Sequence, residues 1–261
     1  MRYILPLFIV IAGCSGSDAP NTLVIGHSGM GVEHTLVPNS HGSIMEALAM
    51  GIDGVELDVQ LTADSVLVAF HDQDLAASTT CSGIVNVLTW AQLKDCTTNR
   101  PGNSDVGIAR VDSLLLEAAT RFPEASFTLD CKLFAQGDWW SYLQAYTDAL
   151  SALEVNPPLT GKLLVECQVD PFLLLLQGKS AGITLFRYDD DADLATQRAV
   201  ASHYAGITVH YGRITQEQVA FAQGLGLDVA LFGTGGRMSH WLALRKRPDR
   251  LQTDDPAALV E

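Results

Sequence analysis

Residues 54–61 read Gly-Val-Glu-Leu-Asp-Val-Gln-Leu. Side chains alternate across a strand. Val55, Leu57, Val59 and Leu61 therefore share one face, and Gly54, Glu56, Asp58 and Gln60 share the other. The split recurs downstream. Residues 126–133 set Phe127, Leu129, Cys131 and Leu133 against Ser126, Thr128, Asp130 and Lys132, and residues 163–169 set Val165 and Cys167 against Glu166 and Gln168. The solvated face of an ordinary antiparallel sheet explains one such strand. It does not suit several strands of a βα series, where helices cover one face and the polar face turns into a barrel lumen.

The surrounding pattern is such a series. Strands are expected at 23–27, 55–61, 66–70, 127–133, 163–169, 183–188, 207–211 and 229–232, with a last extended piece at 251–254. Helices are expected at 43–50, 113–122 (behind Asp112 as N-cap), 139–153, 171–179, 192–201, 216–224 and 239–245. Regular alternation with short connections predicts a parallel sheet wrapped by helices. Eight or nine strands and no G-x-G-x-x-G motif favour a TIM-type (β/α)8 barrel, class α/β, over an open dinucleotide-binding sheet. The length of 261 residues suits that fold, which needs roughly 250. One pair breaks the rule. Only residues 62–65 join the second and third strands, and a parallel crossover needs about a dozen, so this pair is irregular or antiparallel. Residues 72–110 form a long irregular stretch, expected to cap the site rather than to be an uninvolved surface excursion.

Charges inside a barrel are costly unless paired or bound to metal. Glu56, Asp58 and Asp130 are read as an oxygen cage for a hard divalent cation, Mg²⁺ or Ca²⁺. His27 and His71 end strands beside the acidic one, where barrel enzymes place their chemistry. Two imidazoles there suit general acid and general base. His34, His41, His203 and His240 lack that placement and are read as surface or structural. His210 shares a strand face with Thr208, and its reading stays open between pocket wall and scaffold.

The net charge of −14 repels nucleic acid and anionic membrane faces, so neither is an expected partner. Met1-Arg2 followed by an apolar run over 3–12 is too short to span a bilayer. The run ends in Ile11-Ala12-Gly13-Cys14, which resembles a bacterial lipoprotein signal. Residues 1–13 are then a signal peptide, Cys14 carries lipid, 14–21 is a tether and 22–261 is the barrel domain. The expectation is an exported protein, held to a bacterial membrane only by its N-terminal lipid and facing the periplasm. Disulfides persist in exported compartments. Cys81 and Cys96 flank one polar loop and are placed to staple it, while Cys131 and Cys167 on apolar strand faces read as buried thiols.

These residues together resemble the glycerophosphodiester phosphodiesterase family. The resemblance rests on Gly26-His27-Ser28-Gly29, Pro38-Asn39-Ser40, Gly54-Val55-Glu56-Leu57-Asp58-Val59, Thr62, Asp64, His71-Asp72, Thr80, Gly83, Leu129-Asp130-Cys131-Lys132 and Thr253-Asp254-Asp255-Pro256. It is dense over 24–83 and thin after 135. It implies a TIM barrel that hydrolyses small glycerophosphodiesters to glycerol phosphate and an alcohol. His27 and His71 would be the acid–base pair, Glu56, Asp58 and Asp130 the metal ligands, and Lys132 a phosphate contact. Asp130 stands where the family has Glu. Ser28 replaces the arginine of the family's His-Arg-Gly, which removes a bidentate phosphate donor, and Arg187 is taken as the substitute charge. Asn39 replaces the glutamate after Pro38, with Glu33 the nearby carboxylate. Two other readings compete: a sphingolipid phospholipase-D-like enzyme on the same barrel, and a lipoprotein that binds phosphodiesters with little or no turnover.

Overall fold

The computed structural model describes residues 22–260. The expected signal peptide, lipid site at Cys14 and tether lie outside the described residues. Among the described residues, no helix is long and apolar enough to cross a membrane.

The chain runs β1 (Leu23–Gly26), α1 (His41–Ala49), β2 (Gly54–Leu61), β3 (Leu67–Ala69), α2 (Trp90–Leu93), β4 (Ala109–Arg110), α3 (Val111–Arg121) and β5 (Ser126–Cys131). It continues α4 (Trp139–Glu154), β6 (Leu163–Cys167), α5 (Asp170–Lys179), β7 (Thr184–Tyr188), α6 (Ala192–Ser202) and β8 (Gly206–His210). α7 (Gln216–Gly224), β9 (Asp228–Thr234), α8 (Arg237–Leu244), β10 (Arg250–Thr253) and α9 (Ala257–Val260) close it. Eight strands are parallel and close on themselves in the order β1-β2-β5-β6-β7-β8-β9-β10, with β10 returning to β1. The expected (β/α)8 barrel is what the chain forms.

The unresolved pair is antiparallel. β1 meets β2 only at Ile25↔Gly54 and Gly26↔Val55. Beyond Gly26 the edge of β2 is open, and β3 takes it, pairing Val59↔Ala69 through Leu61↔Leu67. The turn closes with the Thr62 N–H donating to Val66 O and Thr62 Oγ1 accepting from the Val66 N–H, around Ser65 in the left-handed region at φ 62°. β4 extends this hairpin.

Asp112 is not the cap of α3. That helix starts two residues earlier, with Arg110 at the N-cap position, and Asp112 sits in the first turn paired with Arg110. The aspartate meets the helix dipole there, and the arginine beside it takes both of its oxygens.

The outward faces of the strands (Val55, Leu57, Phe127, Leu129, Val165, Ile207, Val229 and Leu251 among them) pack under the helices in one continuous core. Tyr146 of α4 is fully buried there and donates its hydroxyl to Val59 O at 2.6 Å. Inside the lumen, Leu164, Phe186 and Ala230 form a separate apolar plug. Polar side chains occupy the level above it.

The excursion between β3 and β4 has its own small core of Val68, Phe70, Leu75, Val85, Leu93 and Cys96. Cys81 and Cys96 are bridged within it, while Cys131 and Cys167 are free and buried. The disulfide spans 15 positions, so loop-closure entropy assigns it about 3 kcal/mol. Replacing both cysteines by serine is expected to lower Tm by roughly 6–12 °C, at 2–4 °C per kcal/mol in a chain of this size. A calorimetric scan of the double variant checks this.

Candidate active site

The polar face of β2 points into the barrel, as the alternation required. Glu56 and Asp58 are 1 % and 2 % exposed. Asp58 and Asp130 lie in register on adjacent strands. One carboxylate oxygen from each of Glu56, Asp58 and Asp130 lies within 4.8 Å of the others.

Two left-handed residues hold this group. Ser28 (φ 49°) donates its N–H to Glu56 Oε2 at 2.9 Å and its hydroxyl to Asp58 Oδ2 at 3.3 Å. Asn39 (φ 61°) donates its amide to Asp58 Oδ2 at 2.7 Å and accepts the Asp58 N–H on Oδ1 at 2.9 Å. Such backbone costs on the order of 1–3 kcal/mol per residue and persists where the surroundings fix it. Here the fixing partners are the carboxylates themselves. The two departures from the family pattern thus have positions: the Ser28 side chain is spent on Asp58, and Asn39 clamps the same carboxylate. Glu33 is exposed and does not line the cavity.

Lys132 bridges two of the acids, 3.0 Å from Asp58 Oδ1 and 2.6 Å from Asp130 Oδ2. Burial works against its charge, but Asp130 and Asp58 outweigh it and hold the ammonium above its ordinary value. Burial, then the charge of Asp58, pushes Glu56 well above the usual carboxylate range. Asp58 is lowered: burial opposes this, but Lys132, His71 and the Asn39 hydrogen bond prevail. Asp130 is raised, by burial first.

Glu56 Oε1 is buried with no hydrogen-bond partner. A buried carboxylate oxygen without a partner is costly, and this one belongs to the three-acid group. An all-oxygen donor set suits a hard divalent cation, so the residues present fit such an ion.

His27 follows β1, and its Nε2 is 3.8 Å from Glu56 Oε2. Its Nδ1 lies 2.7 Å from Asp254 Oδ1. Gly31 (φ 94°) makes that contact close: a Cβ there would come 2.1 Å from Asp254 O, and the Val32 N–H beside it donates to Asp254 Oδ1 at 3.0 Å. Burial disfavours the imidazolium, but the hydrogen bond to Asp254 and the charges of Glu56, Asp254 and Asp58 raise the His27 pKa to about 10. His71 is more open. Its Nδ1 meets Asp72 Oδ1 at 3.1 Å, and Asp72 Oδ2 accepts from Ser78 Oγ at 2.6 Å. Gln60, on the same face as Glu56 and Asp58, donates to the carbonyls of Phe70 and Asp72 and so fixes the backbone on both sides of His71.

Both imidazoles, Ser28, Asn39 and Asp58 open into a cavity of about 510 Å³ whose far wall is built by the 72–110 excursion. That excursion does overhang the site.

Arg187 is a correction. It shares its strand face with Leu185 of the outer core, opposite Phe186 of the lumen plug. Its guanidinium binds Cys167 O, Asp189 and Asp170 between strand and helix. It cannot reach the mouth and does not replace the missing phosphate donor.

In register with Asp130 on the adjacent strand, buried Glu166 accepts from Thr208 Oγ1 at 2.6 Å and from Gln252 Nε2 at 3.0 Å. Burial, then the charge of Asp130, raises its pKa to about 7. A carboxyl raised in the folded state is most stabilising while protonated in both states. Its contribution is full below about pH 4.5 and is lost as pH rises through about 7. Glu166→Gln is therefore expected to flatten the fall of Tm over pH 4.5–7, in melts across that range. Of the remaining histidines, His240 is buried against Thr253 Oγ1, His41 pairs with Glu117 on the surface and His203 ends α6. His210 packs edge-on to Phe232 and does not line the cavity beside the acids.

Comparison with known proteins points to one family. Residues 27–155, just under half of the chain, match the model of the Glycerophosphoryl diester phosphodiesterase family. A glycerophosphodiester phosphodiesterase of Bacillus altitudinis is 33 % identical over 110 residues, 41 % of this chain and 42 % of that protein. One from Caldanaerobacter subterraneus is 40 % identical over 74 residues, 28 % and 29 % of the two chains. The chain thus spans less than half the length of these relatives. Among solved structures, an Oleispira antarctica phosphodiesterase in complex with the product sn-glycerol-3-phosphate aligns with TM-score 0.79 and 20 % identity, over 91 % of this chain and 94 % of that one. A glycerophosphodiester phosphodiesterase structure from Galdieria sulphuraria gives TM-score 0.81 and 16 % identity, over 93 % and 98 %. At these identities the structures speak for the barrel alone. The stretch that matches the family model, residues 27–155, carries His27, Glu56, Asp58, His71, Asp130 and Lys132.

Proposed function

We propose that the protein is a phosphoric diester hydrolase that cuts glycerophosphodiesters to glycerol phosphate and an alcohol. The observation that carries the reading is the convergence of three carboxylates and two imidazoles on one mouth of the barrel. Glu56, Asp58 and Asp130 would hold Mg²⁺ or Ca²⁺, and such an ion supplies Lewis-acid polarisation of a phosphoryl oxygen when bound. Lys132, on the Asp58–Asp130 edge, offers its ammonium to the phosphate.

His27 and His71 divide the proton work. His27 has Nδ1 anchored on Asp254, which leaves Nε2–H to protonate the leaving oxygen. His71, at 63 % exposure, takes a proton from the attacking water. A new P–O bond forms from water, the P–O bond to the alcohol breaks, and one proton is accepted while one is donated. Purified protein with Mg²⁺ or Ca²⁺ is expected to release glycerol phosphate from glycerophosphocholine. No release across a panel of such diesters, with metal present, overturns the reading.

We also propose that the protein is exported and carries lipid at Cys14, with membrane contact through that lipid alone. The Cys81–Cys96 bridge supports export, since such bonds persist outside the reducing cytosol. Radiolabelled palmitate incorporation that survives Cys14→Ser would contradict it.

A further inference from the structure

The cavity has two unlike sides. Toward the barrel lie His27, Ser28, Asp58 and His71. Away from it apolar side chains predominate: Val32 and Val37 from the loop after β1, Phe70, and Pro101, Val106 and Ile108 from the excursion, beside Asn99 and beside Ser78, Thr79 and Thr98, whose hydroxyls are spent on Asp72, Leu75 O and Ser78 O. The carboxylates lining the cavity, Asp58 and Asp72, both sit at the imidazole end and are both hydrogen-bonded. The cation of the far wall is already engaged as well. Arg100 donates through NH1 to Leu36 O and through NH2 to His34 O, tying the excursion to the loop after β1. The far wall therefore offers no carboxylate to balance an ammonium headgroup and no uncommitted guanidinium tip for a second anion. It offers apolar surface continuous with the catalytic groups.

We propose that this cavity binds a hydrocarbon chain carried by one of the two alcohols of the phosphodiester. The inference rests on the diesterase reading above. A chain laid along Val37, Val106 and Ile108 leaves water, and each buried methylene is worth about fourfold in binding. Val106 and Ile108 thus set specificity without touching the reacting atoms.

The test measures kcat/KM for the metal-loaded full chain on two homologous series, with glycerophosphocholine as reference. In one, glycerophospho-n-alkanols from butyl to octyl place the chain on the second alcohol. In the other, lysophosphatidylcholines with short chains, kept below micelle formation, place it on the glycerol. The expected result is a rise of threefold to fourfold per methylene in one series, which also assigns the alcohol that carries the chain, and at least a tenfold advantage of its longest member over glycerophosphocholine. Val106→Asp is expected to collapse that slope. Should its melting curve show misfolding, Ile108→Ser is read instead, with the same expectation. Turnover of glycerophosphocholine with no chain-length dependence in either series overturns the inference and leaves the diesterase reading standing. No turnover of any diester overturns both.

Discussion

His27→Ala is expected to lower kcat for glycerophosphodiester hydrolysis by about 10²–10⁴-fold, the range that positioned acid–base groups supply. The argument is geometric before it is electrostatic. Asp254 grips Nδ1, and the other nitrogen is turned toward Glu56 and the carboxylate cage. Alanine removes the donor and leaves Asp254 with only the Val32 N–H. Asp254→Asn keeps the imidazole but loses the charge that fixes its tautomer, so its kcat is expected to fall by less than in His27→Ala while KM holds. The stability cost has a sign as well. His27 is raised to about 10, so its ionic contacts stabilise the fold fully below about pH 6.5 and are lost as pH rises through about 10. The metal-free alanine variant should lose the corresponding fall in Tm on the alkaline side. Steady-state kinetics and melts over pH 6–10 check both statements. A His27→Ala enzyme with wild-type kcat would remove this imidazole from the chemistry.

Removal of divalent metal is the second large effect. Treatment with EDTA is expected to bring turnover to background, and Mg²⁺ or Ca²⁺ to restore it. Asp58 and Asp130 share one ammonium, Lys132, and the Glu56 oxygen without a partner would gain one from a bound cation. Burial and the charge of Asp58 hold Glu56 well above its ordinary value, so a cation ligated there competes with protons. Affinity is therefore expected to rise with pH, with proton release visible by calorimetry in buffers of different ionisation enthalpy. At a hundredfold excess over Kd the ion adds about 2.7 kcal/mol of stability. Glu56→Gln is expected to weaken the ion strongly and to abolish the proton release. Metal binding that ignores pH between 5 and 8 would contradict this account of Glu56.

What was legible in the sequence followed from period-two alternation. Glu56, Asp58 and Asp130 fell on the lumen face because Val55, Leu57 and Leu129 needed the helix layer. The same parity rule places Arg187 beside Leu185, on the outer face. Choosing it as a phosphate donor went by charge and ignored that alternation. The hairpin after β2 was foreseen only as an exception, because its direction depends on β1 stopping at Gly26 and exposing an edge, a fact of pairing rather than of composition. Asp254 went unassigned for a related reason. It lies 227 positions from His27, and only closure of the barrel, with β10 beside β1, brings the two together. Gln60 shares the acids' face, yet its role of bracing the backbone around His71 depends on the antiparallel turn. Ser28 and Asn39 looked like losses of charge. In the fold they are the two left-handed residues that grip Asp58 and Glu56.

The measurement that bears most directly on the central claim is anomalous diffraction from crystals of the protein soaked in Mn²⁺ as a stand-in for the native hard cation. The account predicts one strong peak between Glu56, Asp58 and Asp130, within reach of the cavity shared by His27 and His71. No peak at saturating Mn²⁺, or a peak elsewhere with Lys132 still bridging Asp58 and Asp130, would contradict it.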